Sequence, residues 1–150
     1  MKPHQSILAQ LPYQAPFLFV DGLNRIDDTG VEGYYTFTAD ADFYNGHFKE
    51  VKVTPGVLLT ECCAQIGLVC LGIHLLRDSG LDAEAMVGLS STEMEFLKPV
   101  FPGEKVRVVS EKVYFRFQKL KCRVKMYDSS NTLVCRGTIS GMLTQKSDHE

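Results

Sequence analysis

The segment from Thr54 to Leu76 constrains this chain most, because it reads TPGVLLTECCAQIGLVCLGIHLL and carries Glu61 as its only formally charged side chain. Thr54 is suited to cap a helix, and Pro55 suits the first helical position, where its missing N–H costs nothing. The pattern therefore predicts a helix that begins here. A helix that is apolar on every side must be buried, either in a protein core or in a bilayer.

The length of this helix, about 20 residues, would be enough to cross a membrane. Glu61 and Gln65 argue against a membrane span, since each of these side chains is costly in lipid. The rest of the chain also offers polar turns and amphipathic strands that can wrap an apolar helix. We therefore predict the core helix of a soluble protein.

The composition indicates one domain, since 150 residues with 45% apolar content can bury a single sizeable core, with tails at about 1–10 and 145–150. A net charge of −2 gives no overall field that would recruit nucleic acid or an anionic membrane. The cysteines are odd in number and lack C-x-x-C spacing, which indicates buried thiols in a reducing compartment: Cys62, Cys63, Cys70, Cys122 and Cys135. The N-terminus has no apolar run of signal-peptide length, so we expect a cytoplasmic protein.

The first third of the chain predicts a short helix and a β-hairpin. His4 to Gln10 suits the helix, and the apolar run Phe17 to Val20 suits a buried strand. After the turn residues Asp27 to Gly30, the segment Val31 to Ala39 alternates between apolar and polar positions. We expect its apolar face to be formed by Val31, Gly33, Tyr35 and Phe37.

The second half of the chain predicts strands joined by short turns, after Gly80 has ended the central helix. The expected strands are Met86 to Phe96, Lys105 to Phe117, Leu120 to Tyr127 and Leu133 to Leu143. Short connections favour an antiparallel meander. One long buried helix against a curled antiparallel sheet of five to seven strands is an α+β arrangement, and this is the hot-dog architecture.

Candidate catalytic side chains lie in the irregular loop Asp40 to Val53 and on the central helix. His47 is in this loop, whereas the other histidines fall near the termini or at the end of the helix. Glu61 and Gln65 are four residues apart and share one helix face. A buried carboxylate that merely satisfies an arginine or a backbone donor is the structural alternative for Glu61. A histidine near a buried carboxylate gives the catalytic alternative more weight.

These residues resemble the motifs of FabZ-type 3-hydroxyacyl-acyl-carrier-protein dehydratases of the hot-dog superfamily. The family's G-H-F, P-G-V-L-x-x-E and A-Q correspond here to Gly46-His47-Phe48, Pro55 to Glu61 and Ala64-Gln65, with the family's spacing from histidine to glutamate. The opening L-P-x-x-x-P-F-L-x-V-D and the later F-x-x-P-V-x-P-G-[DE] are also present, so the resemblance runs from about Leu11 to Leu143.

The resemblance implies dehydration of a (3R)-3-hydroxyacyl thioester to the trans-2-enoyl thioester. His47 would remove the α-proton, and Glu61 would protonate the departing hydroxyl. The backbone N–H of Gly56, at the positive end of the helix, would polarise the thioester carbonyl. Gln65, Val57 and Phe48 are the expected supporting residues.

The resemblance also implies a homodimer, or a trimer of dimers, in which His47 and Glu61 of one site come from different subunits. The substrate would hang from the phosphopantetheine of an acyl carrier protein. We expect no other cofactor and no metal, because no phosphate loop, dinucleotide fingerprint or metal-ligand cluster is present. The alternating basic residues Lys119, Lys121, Arg123 and Lys125 could dock an acidic carrier, although a solvated strand face that resists aggregation is the better explanation of them.

Two segments depart from the family pattern. Lys49, Glu50, Lys52 and Thr54 occupy loop positions that are usually proline, glycine or apolar, and 13–15 differ near the opening. These departures leave fatty-acid, polyketide and aryl-polyene pathways open. A hot-dog acyl thioesterase and a non-catalytic acyl-thioester-binding protein are the competing functions.

Overall fold

A computed structural model describes residues 3–45, 52–77 and 85–145. In these residues, one antiparallel sheet of six strands curls around one long helix. The elements are α1 (Pro3–Ala9), β1 (Gly22–Asp27), β2 (Gly30–Thr36), α2 (Gly56–Leu75), β3 (Ala85–Phe96), β4 (Lys105–Arg116), β5 (Lys119–Tyr127) and β6 (Leu133–Gln145). The strand order is β1-β2-β4-β5-β6-β3, which confirms the predicted α+β hot-dog arrangement.

Helix α2 lies in the core, as its all-round apolar sequence predicts. By length and hydropathy alone it could cross a membrane, but 67% of its most apolar window is buried within the fold. Its side chains pack against those of the inner face of the sheet, such as Val108, Val124 and Ile139, all at 0% exposure. The five cysteines belong to this core and are all free and buried, as expected.

Gly67 allows the middle of α2 to approach the sheet closely. A Cβ atom at this position would lie 2.9 Å from Cγ1 of Val124 and 3.0 Å from Cβ of Ser110. The hydroxyl of Ser110 donates a hydrogen bond of 2.9 Å to the carbonyl of Gly67. This contact fixes the depth of the helix in the sheet.

The last four strands confirm the sequence prediction to within about two residues at each end. β4, β5 and β6 form the expected meander, while β3 pairs with β6 and lies at the edge of the sheet. The β4–β5 turn places Phe117 and Gln118 at φ of 52° and 62°, which is the left-handed geometry of a two-residue hairpin turn.

The first predicted strand was wrong in position. Phe17 lies in a bend and Phe17 to Val20 belongs to no strand, whereas β1 begins only at Gly22. The reason is that the backbone of this segment bonds to a side chain of α2 instead of a neighbouring strand. The strand predicted from Val31 to Ala39 is present as β2 but ends at Thr36. Of its expected apolar face, Val31 and Gly33 are buried, Tyr35 is half-buried, and Phe37 is buried just after the strand.

The start of α2 differs from the prediction by one residue. Pro55 flanks the helix as its N-cap without a side-chain capping bond, and the helix begins at Gly56. Thr54 does not cap the helix, because its hydroxyl is 2.5 Å from the buried hydroxyl of Tyr44. Its role is to satisfy a buried phenol. The predicted helix end at Gly80 lies outside the described residues.

Candidate active site

Gln65 is the best-defined side chain of the candidate site and is fully buried. Its Oε1 accepts a hydrogen bond of 2.8 Å from the N–H of Phe19. Its Nε2 donates one bond of 3.1 Å to the carbonyl of Phe17 and another of 2.9 Å to Oε2 of Glu61. The amide therefore ties the segment from Phe17 to Phe19 to the carboxylate predicted as the catalytic acid.

Glu61 occupies a half-buried position one helical turn before Gln65. The bond from Gln65 fixes the orientation of its carboxylate through one oxygen, and the half-buried position leaves that carboxylate within reach of a bound molecule. The structural alternatives for Glu61 were a pairing with an arginine or with a backbone donor, and in the described residues neither type of bond to its carboxylate is found. The arrangement is that of an oriented carboxylate at the side of a core helix.

The helix changes its hydrogen-bond pattern at this point. Gln65–Cys70 adopts π-helical geometry between two α-helical parts of α2. Short π-helical segments are uncommon and occur frequently at functional sites. Here the segment begins at the residue that orients Glu61.

Tyr13 is half-buried and feels the negative charge of the same carboxylate, although sequence reasoning did not include it among the site residues. Burial, with a further contribution from the negative charge of Glu61, raises the pKa of Tyr13 to about 12. The phenol therefore remains protonated at neutral pH. Its ring is 6.3 Å from that of Phe17, whose carbonyl accepts the bond from Gln65. The only sequence signal was the departure of 13–15 from the family pattern.

A second part of the site is a cavity of about 310 Å³ at the start of α2. Gly56 lines it from the helix, and Phe96, Leu97 and Lys98 line it from the end of β3. The N–H of Gly56 belongs to the first helical turn, whose donors lack partners within the helix. In the described residues it has no backbone acceptor. An acceptor atom bound in this cavity would meet that N–H at the positive end of the helix.

Hydrogen bonds to two different segments fix the residues that precede α2. The N–H of Thr54 donates a bond of 2.8 Å to the carbonyl of Val100, which follows β3. Lys52 Nζ donates a bond of 3.0 Å to the carbonyl of Tyr44. Together with the Tyr44–Thr54 contact, these bonds join the two ends of the loop that the family motif occupies.

The remaining predicted residues have different outcomes. Val57 lies on the first turn of α2 with 76% of its surface exposed. His47 and Phe48 lie outside the described residues, so their predicted roles stay predictions. Across the described ranges, no group of three or more histidine, cysteine, aspartate or glutamate side chains is arranged to hold a metal ion.

Solved structures with the same architecture include a dehydratase complex and a thioesterase superfamily member. The dehydratase heterocomplex ApeI:P from Xenorhabdus doucetiae matches with a TM-score of 0.73 at 14% identity, covering 95% of this chain and 93% of that chain. A thioesterase superfamily member from Thermus thermophilus matches with a TM-score of 0.60 at 18% identity, covering 84% and 89%. The fold therefore defines the chain as a hot-dog protein.

Sequence comparison is more specific. A family model described as a FabA-like domain matches residues 11–139. The 3-hydroxyacyl-[acyl-carrier-protein] dehydratase FabZ of Sinorhizobium fredii is 34% identical over 148 residues, which is 96% of this chain and 91% of that protein. FabZ of Bacillus velezensis is 36% identical over 106 residues, covering 69% and 72%. The chain belongs to the FabA-like family, which includes these dehydratases.

Proposed function

We propose that this protein dehydrates a (3R)-3-hydroxyacyl thioester, carried on an acyl carrier protein, to the trans-2-enoyl thioester. The observation that carries the proposal is the hydrogen bond of 2.9 Å by which buried Gln65 orients Glu61, in a chain of the FabA-like family. The 3-hydroxyacyl-[acyl-carrier-protein] dehydratase of Sinorhizobium fredii matches 96% of this chain. The likeness to thioesterases is limited to the fold.

In the proposed mechanism, neutral His47 removes a proton from C2 of the substrate. The N–H of Gly56 donates a hydrogen bond to the thioester oxygen as negative charge develops there. The electron pair then forms the C2–C3 double bond, and the C3–O bond breaks as protonated Glu61 gives its proton to the departing hydroxyl. The products are the enoyl thioester and one water molecule, and His47 retains the proton from C2. Gln65 positions Glu61 for this transfer.

We also propose that the protein works as a homodimer, or as a trimer of dimers. Support comes from β3, because an edge strand has one row of backbone groups available for pairing. Leu89 on this strand is 50% exposed, and Val57 on the adjacent helix is 76% exposed. Pairing of two β3 strands would cover both. By the family resemblance, His47 of one subunit would then serve with Glu61 of the other.

The proposed partner is an acyl carrier protein, whose phosphopantetheine carries the substrate, so no other cofactor is required. The candidate docking surface is the basic stripe, whose members are Lys119, Lys121, Arg123 and Lys125. Arg123 and Lys125 are exposed, and Arg123 forms an ion pair of 3.2 Å with Glu111 on β4. A solvated strand face remains the alternative explanation for the stripe. The proposed setting is cytoplasmic fatty-acid, polyketide or aryl-polyene biosynthesis.

Mass spectrometry of a carrier-bound (3R)-3-hydroxyacyl thioester tests the proposed reaction. We expect the wild type to lower the mass of the acylated carrier by about 18 Da, the mass of one water, while the acyl group stays attached. We expect His47→Ala and Glu61→Gln to lose this activity. His4→Ala on α1 and Asp40→Asn at an exposed position are the matched controls and should retain it. Release of the free acid would identify a thioesterase instead. Tight binding without turnover, over a panel of chain lengths, would identify a binding protein.

A further inference from the structure

We propose that Phe96 determines substrate specificity, by excluding acyl groups that carry a substituent at C2, the carbon beside the thioester carbonyl. This inference rests on the proposed function and adds the class of substrate: 3-hydroxyacyl thioesters that are unsubstituted at C2.

Phe96 directs its ring toward the start of α2. It is the last residue of β3 and lies opposite Cys135 of β6, which is fully buried. Residues that lie directly opposite each other in a sheet project from the same face, so the Phe96 side chain extends from the inner face, where α2 packs. A Cβ atom at Gly56 would lie 3.3, 3.4 and 3.6 Å from Cζ, Cε1 and Cε2 of this ring. The outer edge of the ring therefore faces Gly56.

This position puts the ring beside any group bound to the Gly56 N–H. The nitrogen and the Cβ position of one residue are about 2.5 Å apart on standard backbone geometry. In a thioester whose oxygen accepts the Gly56 bond, C2 lies within about 3 Å of that oxygen. Gly56 and Phe96 line the same cavity, so C2 of a thioester bound there shares that space with the ring edge, and a further methyl group on C2 would compete with the ring for it.

Hydrogen bonds anchor the backbone that follows Phe96, so the ring forms a boundary of the cavity. The next two residues, Leu97 and Lys98, both donate backbone hydrogen bonds to the carbonyl of Val134, at 2.8 and 3.2 Å. The ammonium of Lys98 also forms an ion pair with the buried carboxylate of Asp128. Phe96 itself is 49% exposed and lines the cavity of about 310 Å³. Its open side is thus available to a ligand, and the anchored backbone limits how far the ring can move away.

The two atoms bonded to the thioester carbonyl carbon, the sulfur and C2, need different amounts of space beside the Phe96 ring. The sulfur carries one chain, which must run outward to the carrier. C2 carries the hydrogen that His47 is proposed to remove and a second hydrogen that a methyl group would replace. One methyl group in a close-fitting pocket is worth about 10- to 200-fold in specificity. We therefore expect selection against C2-methyl substrates of that order.

The test compares kcat/KM for carrier-bound (3R)-3-hydroxyacyl thioesters with and without a methyl group at C2. We expect the wild type to favour the unsubstituted substrate by at least about tenfold, and Phe96→Ala to remove most of that preference. Phe96→Leu, which keeps an apolar side chain, should give an intermediate preference and guards against a folding defect in the alanine variant. Phe101→Ala, another half-exposed phenylalanine nearby, should keep the wild-type preference.

A binding measurement separates this inference from the proposed reaction. Amide analogues of the two acyl-pantetheines cannot be cleaved as thioesters and can be titrated calorimetrically against each variant. A preference for the unsubstituted analogue that disappears in Phe96→Ala supports the inference even if turnover is slow. Equal affinity of the wild type for both analogues overturns it, and so does a Phe96→Ala variant that loses the same amount of affinity for both analogues. Failure of the wild type to dehydrate any unsubstituted substrate overturns the proposed function, and the inference with it.

Discussion

Gln65 and Glu61 are joined by a hydrogen bond of 2.9 Å between Nε2 and Oε2, one turn apart on the buried helix. The same amide satisfies the N–H of Phe19 and the carbonyl of Phe17. One side chain thus holds both the candidate catalytic acid and a segment distant in sequence. Its loss should affect activity and stability together.

Replacing Gln65 by leucine should lower kcat by about ten- to a hundredfold, because Glu61 loses its orientation. It should also reduce the free energy of unfolding by about 2–3 kcal/mol, since two backbone groups lose their partner. Chemical denaturation and steady-state kinetics measure the two effects. Gln10→Leu, at an exposed position after α1, is the control and should change neither. Unchanged kcat in a folded Gln65→Leu variant would contradict the positioning role.

Replacing Gly56 by alanine should impair catalysis without unfolding the protein. The added Cβ would lie 3.3 Å from Phe96, and it would narrow the cavity where the thioester oxygen is proposed to bind. We expect kcat/KM to fall by about tenfold or more. Combining this change with Phe96→Leu should recover part of the loss, because the shorter side chain makes room. No recovery in the double variant would indicate that the ring does not limit this space.

Replacing Gly67 by alanine tests the contact between α2 and the sheet. The new Cβ would lie 2.9 Å from Cγ1 of Val124, so helix and sheet must separate. Overpacking of this kind costs about 1–3 kcal/mol of unfolding free energy. Gly88→Ala is the matched control, because no atom lies within 4 Å of its Cβ position. Equal stability of both variants in urea unfolding would contradict the close approach.

Asp128 gives a prediction about acid stability. Its carboxylate accepts bonds from Lys98 and from the N–H groups of Ser130 and Thr132, and these bonds lower the pKa of Asp128, with Lys98 as the largest cause. A carboxyl group whose pKa is lower in the folded than in the unfolded state stabilises the fold at pH values above its unfolded-state pKa. That contribution is lost as the pH falls through its folded-state pKa. Wild-type stability should therefore decline below about pH 4.

The corresponding variant, Asp128→Asn, should be less stable at pH 7 by about 1–3 kcal/mol, because bonds to a charged group are lost. Its stability should depend less on pH in the acid range than that of the wild type. Urea unfolding at several values from pH 7 to 2.5 measures both effects. Asp40→Asn removes an exposed carboxylate and should leave the profile unchanged. An unaltered acid profile in Asp128→Asn would contradict the prediction.

The proposed dimer predicts that Leu89→Lys separates the subunits. A lysine in place of this half-exposed leucine puts charge on an edge strand, which disfavours pairing with another strand. We expect a shift from dimer to monomer in light scattering after gel filtration, together with loss of activity, because the proposed site takes His47 and Glu61 from different subunits. Phe117→Lys, at a 91% exposed turn position away from β3, should remain dimeric. A fully active monomer would contradict the shared site.

The sequence by itself determined the central helix and the strands β2 to β6, because each has a strong local pattern. An apolar run opened by Pro55 can only be a buried helix here, and alternating segments can only be strands with one face inward. The motif residues of α2 were identified from the resemblance to the family, and spacing added the placement of two of them. Four residues between Glu61 and Gln65 place both side chains on one helix face.

Only the tertiary structure decided what distant segments do to one another. Phe17 to Val20 has the apolar pattern of a strand, yet its backbone bonds to the Gln65 side chain, and no local rule encodes a partner so far along the chain. The hydroxyl of Thr54 bonds to the buried phenol of Tyr44 instead of capping the helix. The ring of Phe96 reaches Gly56 only because β3 ends beside α2. Local pattern records the preferences of neighbouring residues, whereas these contacts arise when separate elements compete for the same buried partners.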